Sequence, residues 1–264
     1  MSDNLRLHLF ESGFLPPVLL VLMVAMVEIG WRTGTFAFAK ATTTELSDDK
    51  TLIGAIFGLL ALLIAFTFSG AANRFDDRRH LIVDEVRAIA DAYRSLDFLQ
   101  KEQQPAVRQL FLSYVDHRLA LYQNMADTQG FEQKVAAQAE LSNQLWQASL
   151  AATRATDAAG QSMADQVPTA ILKMIDASEN QRLGMKFHPP RVIWQSLVVL
   201  ALIGSFMSGY IMGIQQKRDW LVTLVFATLM AGAVYVILNI EYPRVGSINL
   251  DDFDQELVSL RKTM

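Results

Sequence analysis

The chain has 264 residues, 52% hydrophobic and 19% charged, with a mean hydropathy of +0.22. It is too apolar for a mostly soluble domain and too charged for membrane-spanning helices alone. A net charge of -4, with no basic run standing clear of acidic neighbours, argues against nucleic acid as a partner, and the absence of cysteine excludes disulfides, thiolate catalysis and zinc–thiolate sites.

Four segments read as transmembrane helices, at about 14–30, 52–72, 192–214 and 220–240. The first is too long for a cleaved signal peptide, follows Glu11, and has no small-residue cleavage site before Glu28-Ile29-Gly30-Trp31-Arg32. Glu28 is expected at the interface; if buried, it would be a functional-site candidate. The second segment carries no charge from Leu52 to Ala72, then turns polar with neither Pro nor Gly as far as Leu99. Beyond the membrane its apolar residues fall at Phe75, Ile82, Val86, Ile89, Tyr93 and Leu96, the three- and four-residue steps of a helical seam. Unbroken, the Leu52–Leu99 helix would span about 70 Å. That length suits a pore wall, a stalk or a signal relay; an anchor running into a soluble helical domain fits the same pattern.

Residues 73–191 read as one helical bundle fused to the spans. Pro105 fits the first turn of a new helix, whose amphipathic face carries Val107, Leu110, Phe111, Tyr114, Val115, Arg118, Leu119, Leu121 and Tyr122. A turn near Asp127–Gly130 leads to an Ala/Gln-rich helix with Leu141, Leu145, Trp146 and Leu150, ended by Gly160. A further helix bears Val167, Ile171, Leu172, Ile175, Asp176, Glu179 and Arg182, and His188-Pro189-Pro190 redirects the chain into the membrane. After the fourth span, Pro243 and Gly246 mark a tight turn, and the amphipathic tail of 241–264 is expected to lie back on the bundle.

Arg74, Arg78, Arg79 and Arg87 crowd the end of the second span, and Lys186 and Arg191 precede the third, so the positive-inside rule places 73–191 and both termini in the cytoplasm. Lys217 and Arg218, in the short turn between the last two spans, run against this orientation, partly offset by Asp219. Small residues at four-residue spacing, Gly54 and Gly58 in the second span and Ser205, Gly209 and Gly213 in the third, are candidates for close helix packing. The expected partner is a helix of the same chain, with a neighbouring chain as the alternative.

No catalytic residue, metal site or cofactor is expected. His8, His80, His117 and His188 are scattered, and no phosphate loop or nucleophile elbow is present. Asp76, Asp77, Asp84 and Glu85 interleave with the arginines, which favours ion pairs over cation binding. Arg79 takes the seam slot between Phe75 and Ile82. It is expected to pair with Asp76, or with Asp84 or Glu85 of an adjoining helix; the alternative is a ring of arginines attracting anions at a pore mouth.

The run from Gly58 to Gly70-Ala71-Ala72-Asn73-Arg74-Phe75-Asp76-Asp77-Arg78-Arg79 resembles the signature of the bestrophin-like family of bacterial four-span membrane proteins, a domain of unknown function. The likeness continues through Glu85, Ala88-Ile89, Ala92-Tyr93, Leu96, Tyr114 to Leu119, Trp146, Pro189-Pro190, Gly209 to Gly213 and Pro243-Arg244, nearly the whole chain. The family tends to have Asp-Leu-Asp ahead of the proline; this chain has Asn239-Ile240-Glu241, one carboxylate fewer for an ion site. More distantly it is similar to bestrophin ion channels, pentamers whose second span lines a pore and continues into the cytoplasm past an Asp-Arg-Trp-like junction. Asn73-Arg74-Phe75 is similar to that junction in placement and type.

The resemblance implies a single domain over 1–264, all-α, with four transmembrane helices and a fused cytoplasmic bundle. It implies a homo-oligomer, pentameric by preference, in a bacterial inner membrane, passing inorganic ions passively. Gly58, Leu62, Phe66 and Gly70 become pore candidates, Leu62 and Phe66 forming an apolar neck of the kind that gates by dewetting. Asn73, Arg74, Phe75 and Arg79 become the cytoplasmic junction. Two alternatives stand beside these: Leu62 and Phe66 facing other helices or lipid, and a non-conducting scaffold or signalling module whose cytoplasmic helices bind a partner.

Overall fold

A computed structural model describes residues 15–39, 49–123, 131–185, 187, 189–242 and 251–264. The Asp127–Gly130 and Pro243–Gly246 turns, His8 and His188 lie outside them. The described residues form helices α1 (Leu15–Phe38), α2 (Asp49–Ser95), α3 (Gln104–Gln123), α4 (Phe131–Arg154), α5 (Gln161–Ala164), α6 (Gln166–Gly184), α7 (Arg191–Ile214), α8 (Trp220–Glu241) and α9 (Asp251–Thr263). A single 3₁₀ turn, Leu96–Phe98, follows α2. The architecture is all-α, as the periodicity predicts, and four of these helices are long and apolar enough to cross a membrane. The chain divides into two compact units, Met1–Arg74 with His188–Ser247 and Phe75–Phe187 with Ile248–Met264, and α2 contributes residues to both.

In the first unit, Leu19 and Met23 of α1, Leu60 of α2, Leu197 and Ala201 of α7, and Ala227, Met230, Val234 and Leu238 of α8 form one apolar core. Phe57 meets Phe226 edge-to-face, with ring centroids 5.3 Å apart. Helices α1 and α7 approach most closely. A methyl group added at Gly30 would land on the Phe206 carbonyl, at Gly34 on that of Tyr210, at Gly209 on that of Val27 and at Gly213 on that of Trp31. Only residues without a side chain permit this contact, and in a membrane such packing replaces the missing hydrophobic drive.

This contact also explains why α1 runs past its predicted end at Gly30. Gly30 and Gly34 are held against the α7 backbone, while the Arg32 Nε donates to Glu28 Oε1 at 3.0 Å, one turn back. The charges that read as a stop are thus paired along the helix.

In the second unit the core gathers Ile89, Ala92 and Leu96 with Val107, Phe111, Tyr114 and Val115 of α3, Leu145 and Ala152 of α4, and Val167, Ile171 and Met174 of α6. Pro105 sits in the first turn of α3, where its missing N–H costs nothing. The tail docks here as α9: Leu257 joins the core, Arg261 grips Asp116 at 2.6 and 2.9 Å, and the Tyr93 hydroxyl donates to the Met264 oxygen at 2.7 Å. Leu172, expected on the apolar face of α6, is exposed instead.

Candidate pore face and arginine junction

Within the first unit α2 has two opposite faces. One carries Phe57, Leu60, Ile64, Thr67 and Ala71 toward α7 and α8; Phe57 and Leu60 lie over Gly204, where no side chain stands in their way. The other face is largely open among the described residues. A methyl group at Gly54 or Gly58 would find no atom within 4 Å, and Leu62 and Phe66 are 51% and 67% exposed. Ser69 and Asn73 follow on this exposed face at helical spacing, so it turns from apolar to polar before the first unit ends at Arg74.

Gly70 stands at the edge of that face. Twelve residues from Gly58 is about three and a third turns, so a strict four-residue ladder drifts roughly 120° around the axis. Gly70 is half-buried, with the Arg74 guanidinium lying over it. Of the small residues predicted to pack, Gly209 and Gly213 stand at the α1 contact, and Ser205 is buried with its hydroxyl donated to the Ala201 carbonyl at 2.8 Å. Gly54 and Gly58 find no packing partner among the described residues. Gly30 and Gly34 went unread, although their four-residue spacing obeys the rule that singled out the others.

Arg74 donates from Nε and Nη2 to Glu241 Oε2, at 2.9 and 2.7 Å. Glu241 is fully buried at the last residue of α8. The single carboxylate of the Asn239-Ile240-Glu241 corner is therefore engaged by an arginine, while the Asn239 amide donates to the Tyr235 carbonyl at 2.9 Å. At the opposite end of these spans, Arg218 pairs with Glu28 and stacks over Trp31 and Trp220, 5.1 and 4.2 Å from their ring centroids. Glu28 is paired there and part-exposed, not buried.

Of the arginines at the start of the second unit, Arg78 is buried and Arg79 is not. Arg78 is 3% exposed and its Nη2 donates to the Phe187 carbonyl at 2.8 Å. Arg79 is partly exposed, pairs with Asp76 at 3.1 Å, the expected partner, and lies 6.0 Å from the Phe75 ring centroid. The buried seam runs through Arg78, Ile82, Glu85, Ile89, Ala92 and Leu96, one residue out of phase with the apolar reading at its start. Apolar periodicity misses it because two of its members are charged residues made tolerable by partners elsewhere.

Glu85 is one of these. Its carboxylate accepts from Arg118 Nε at 2.6 Å and Nη2 at 3.1 Å, and from the Ser178 hydroxyl at 2.8 Å, all inside the core. Arg118 also donates to the Ser178 carbonyl and to Gln181 Oε1. Burial pushes the neighbouring Tyr114 phenol up, so it stays neutral, and with the Ser178 proton given to Glu85 its hydroxyl donates to Ser178 Oγ at 2.7 Å. Nothing in the sequence couples residues 33 and 93 positions apart, beyond the presence of opposite charges. His117 bonds the Lys134 carbonyl at 3.0 Å, and no cluster of three or more metal-ligating side chains occurs among the described residues.

A model of the Bestrophin-like domain matches residues 31–252. Among solved structures, a bacterial bestrophin homologue from Klebsiella pneumoniae with a tyrosine-to-alanine mutation is similar at 16% identity and a TM-score of 0.59, covering 92% of this chain and 99% of that one. An isoleucine-to-threonine form of a bacterial bestrophin homologue from that organism aligns at 12% identity and a TM-score of 0.59, over 93% and 98% of the two chains. At these identities the likeness is one of fold. No curated relative matches the sequence.

Proposed function

The chain belongs to the bestrophin-like family, and from that premise we propose that it is a homo-oligomeric ion channel, pentameric by preference, whose pore is lined by α2. One observation carries this reading: among the described residues the face of α2 bearing Gly54, Gly58, Leu62 and Phe66 is left open while the opposite face packs into the first unit's core. Copies meeting across an axis would turn that face inward. Leu62 and Phe66 would form an apolar neck, and Gly58 would leave room above it. Gly70 leaves space for the Arg74 side chain, which the Glu241 pair holds at the junction with Asn73, Phe75 and Arg79. The ligands are inorganic ions and the surrounding partner is lipid; no cofactor or catalysis enters.

The proposed location is a bacterial inner membrane, with both termini and 73–191 in the cytoplasm. The arginines at 74, 78, 79 and 87 support this orientation. The opposing charge of Arg218 is matched within the chain by Glu28, which weakens its pull on topology.

Channel activity is tested by reconstituting the purified oligomer in planar bilayers. Ionic currents are expected, with conductance changed by Leu62→Ala or Phe66→Ala. A well-folded oligomer silent under varied voltage, calcium and pH overturns the reading. A scaffold role is favoured by a different feature, an open groove of about 730 Å³ on the second unit, lined by Asp84, Arg87, Asp91, Arg94, Asp165 and Lys173 among others. Monomers or dimers with no axial path along α2 would support that role instead.

A further inference from the structure

Where α6 ends, the second unit leaves an apolar side chain in the open on a backbone that is firmly held. Gly184, the last residue of α6, lies against α2: a methyl group added there would land on Leu81 Cδ1. Three residues on, the Phe187 carbonyl accepts from Arg78 Nη2 at 2.8 Å, and Arg78 is itself buried. The Phe187 ring is nevertheless 69% exposed, more than any other large apolar side chain described in this unit. Leu183, in the last turn of α6, is also exposed.

A lone exposed apolar residue needs no explanation by itself; the place of this one in the chain supplies one. Pro190 caps α7, and Val192–Ile214 is long and apolar enough to cross a membrane. The chain from Phe187 to Arg191 reaches at most about 14 Å. A bilayer's headgroup layer is about 5–8 Å deep on each side of the hydrocarbon. Chain length alone therefore keeps Phe187 at or beside the surface through which α7 enters. Lys186 and Arg191 flank it in sequence, the basic and aromatic pairing that interfacial anchors present to phosphates. We propose that Phe187 is a lipid anchor of the second unit, its ring inserted among the headgroups of the phospholipid surface while Arg78 holds the backbone it projects from. The bundle is then fixed to the membrane by a contact of its own, beyond its covalent continuity with the spans. The short tether to α7 and the flanking charges favour lipid over a neighbouring copy as the occupant. This inference does not depend on whether the protein conducts ions.

The chain has no cysteine, so Phe187→Cys creates a unique site for a nitroxide label and leaves the Arg78 bond to the backbone carbonyl in place. The full chain is reconstituted in vesicles of phosphatidylethanolamine and phosphatidylglycerol. Power saturation then reads the label's collisions with oxygen, which partitions into lipid, and with a water-soluble nickel chelate. Ala158→Cys, exposed in the turn between α4 and α5, serves as the solvent standard. The oxygen-to-nickel ratio is expected to be several-fold higher at 187 than at 158. Equal ratios put the side chain in water and overturn the proposal. A label at 187 shielded from both reagents puts protein over it, as a neighbouring copy would, and overturns it too. Phe187→Trp keeps an aromatic ring and gives a second readout. The emission it adds to that of the four native tryptophans is expected to be quenched more by brominated phospholipid than by aqueous iodide, and the reverse order overturns the proposal.

Discussion

Arg74 and Glu241 join the middle of α2 to the last residue of α8, the arginine placing two donors on one carboxylate oxygen at 2.9 and 2.7 Å. Glu241 has no solvent contact and Arg74 is 28% exposed, so this is a partly buried, charge-assisted pair. It holds the arginine junction at the point where both spans stop being apolar.

Removing one partner strands the other in a poorly solvated site. Glu241→Ala is expected to destabilise the protein by about 2–4 kcal/mol, a range just below that for fully buried pairs because Arg74 retains some solvent. The check is a double-mutant cycle with Arg74→Ala, read from unfolding in detergent. Two effects that add without coupling would refute the pairing.

Glu85→Ala should cost more, about 3–5 kcal/mol, since Arg118 is 4% exposed and loses the partner that neutralises it. Replacing both charges, as Glu85→Leu with Arg118→Met, should recover part of that loss. A double variant no more stable than Glu85→Ala alone would show that the charge is not the cause.

The glycines divide into two groups with opposite expected outcomes. Gly209→Val drives a side chain into the Val27 backbone, so folded, monodisperse protein should fall sharply on size exclusion. Gly58→Ala meets no atom among the described residues and should leave the fold intact or stabilise it by up to about 1 kcal/mol through helix propensity. Any effect of Gly58→Ala on current or oligomer size would therefore report on contacts between copies.

Tyr114 supplies a pH dependence. Burial pushes its phenol up, so the folded chain holds that proton more tightly than the unfolded chain does. Its contribution is complete below the unfolded value of about 10 and shrinks as pH rises through the higher folded value. Thermal midpoints taken from about pH 8 to about pH 11 should fall less steeply in Tyr114→Phe than in the unaltered protein. Identical slopes would contradict the assignment.

Much of the candidate site could be read along the chain and some could not. The continuous α2 was legible because a charge-free stretch followed by helical spacing without Pro or Gly leaves no other local solution. Leu62 and Phe66 share an exposed face and Gly70 stands at its edge, because a four-residue ladder outruns the helical turn. Arg79 pairs with Asp76 as expected, but the seam slot expected for it holds Arg78. Burial of a charge depends on what waits for it, here the Phe187 carbonyl, 109 residues away.

By itself, then, the sequence determined an all-α chain with four apolar helices and one helix too long for any bilayer, since apolar length and periodicity are properties of consecutive residues. Tertiary structure decided which side of that helix is spent on the chain's own core and which is left open. It also decided that Gly30 and Gly34 meet the α7 backbone, that Arg74 meets Glu241 across 167 residues, and that Glu85 meets Arg118. These pairings pit desolvation against partner geometry, and that balance exists only once distant segments share one interior.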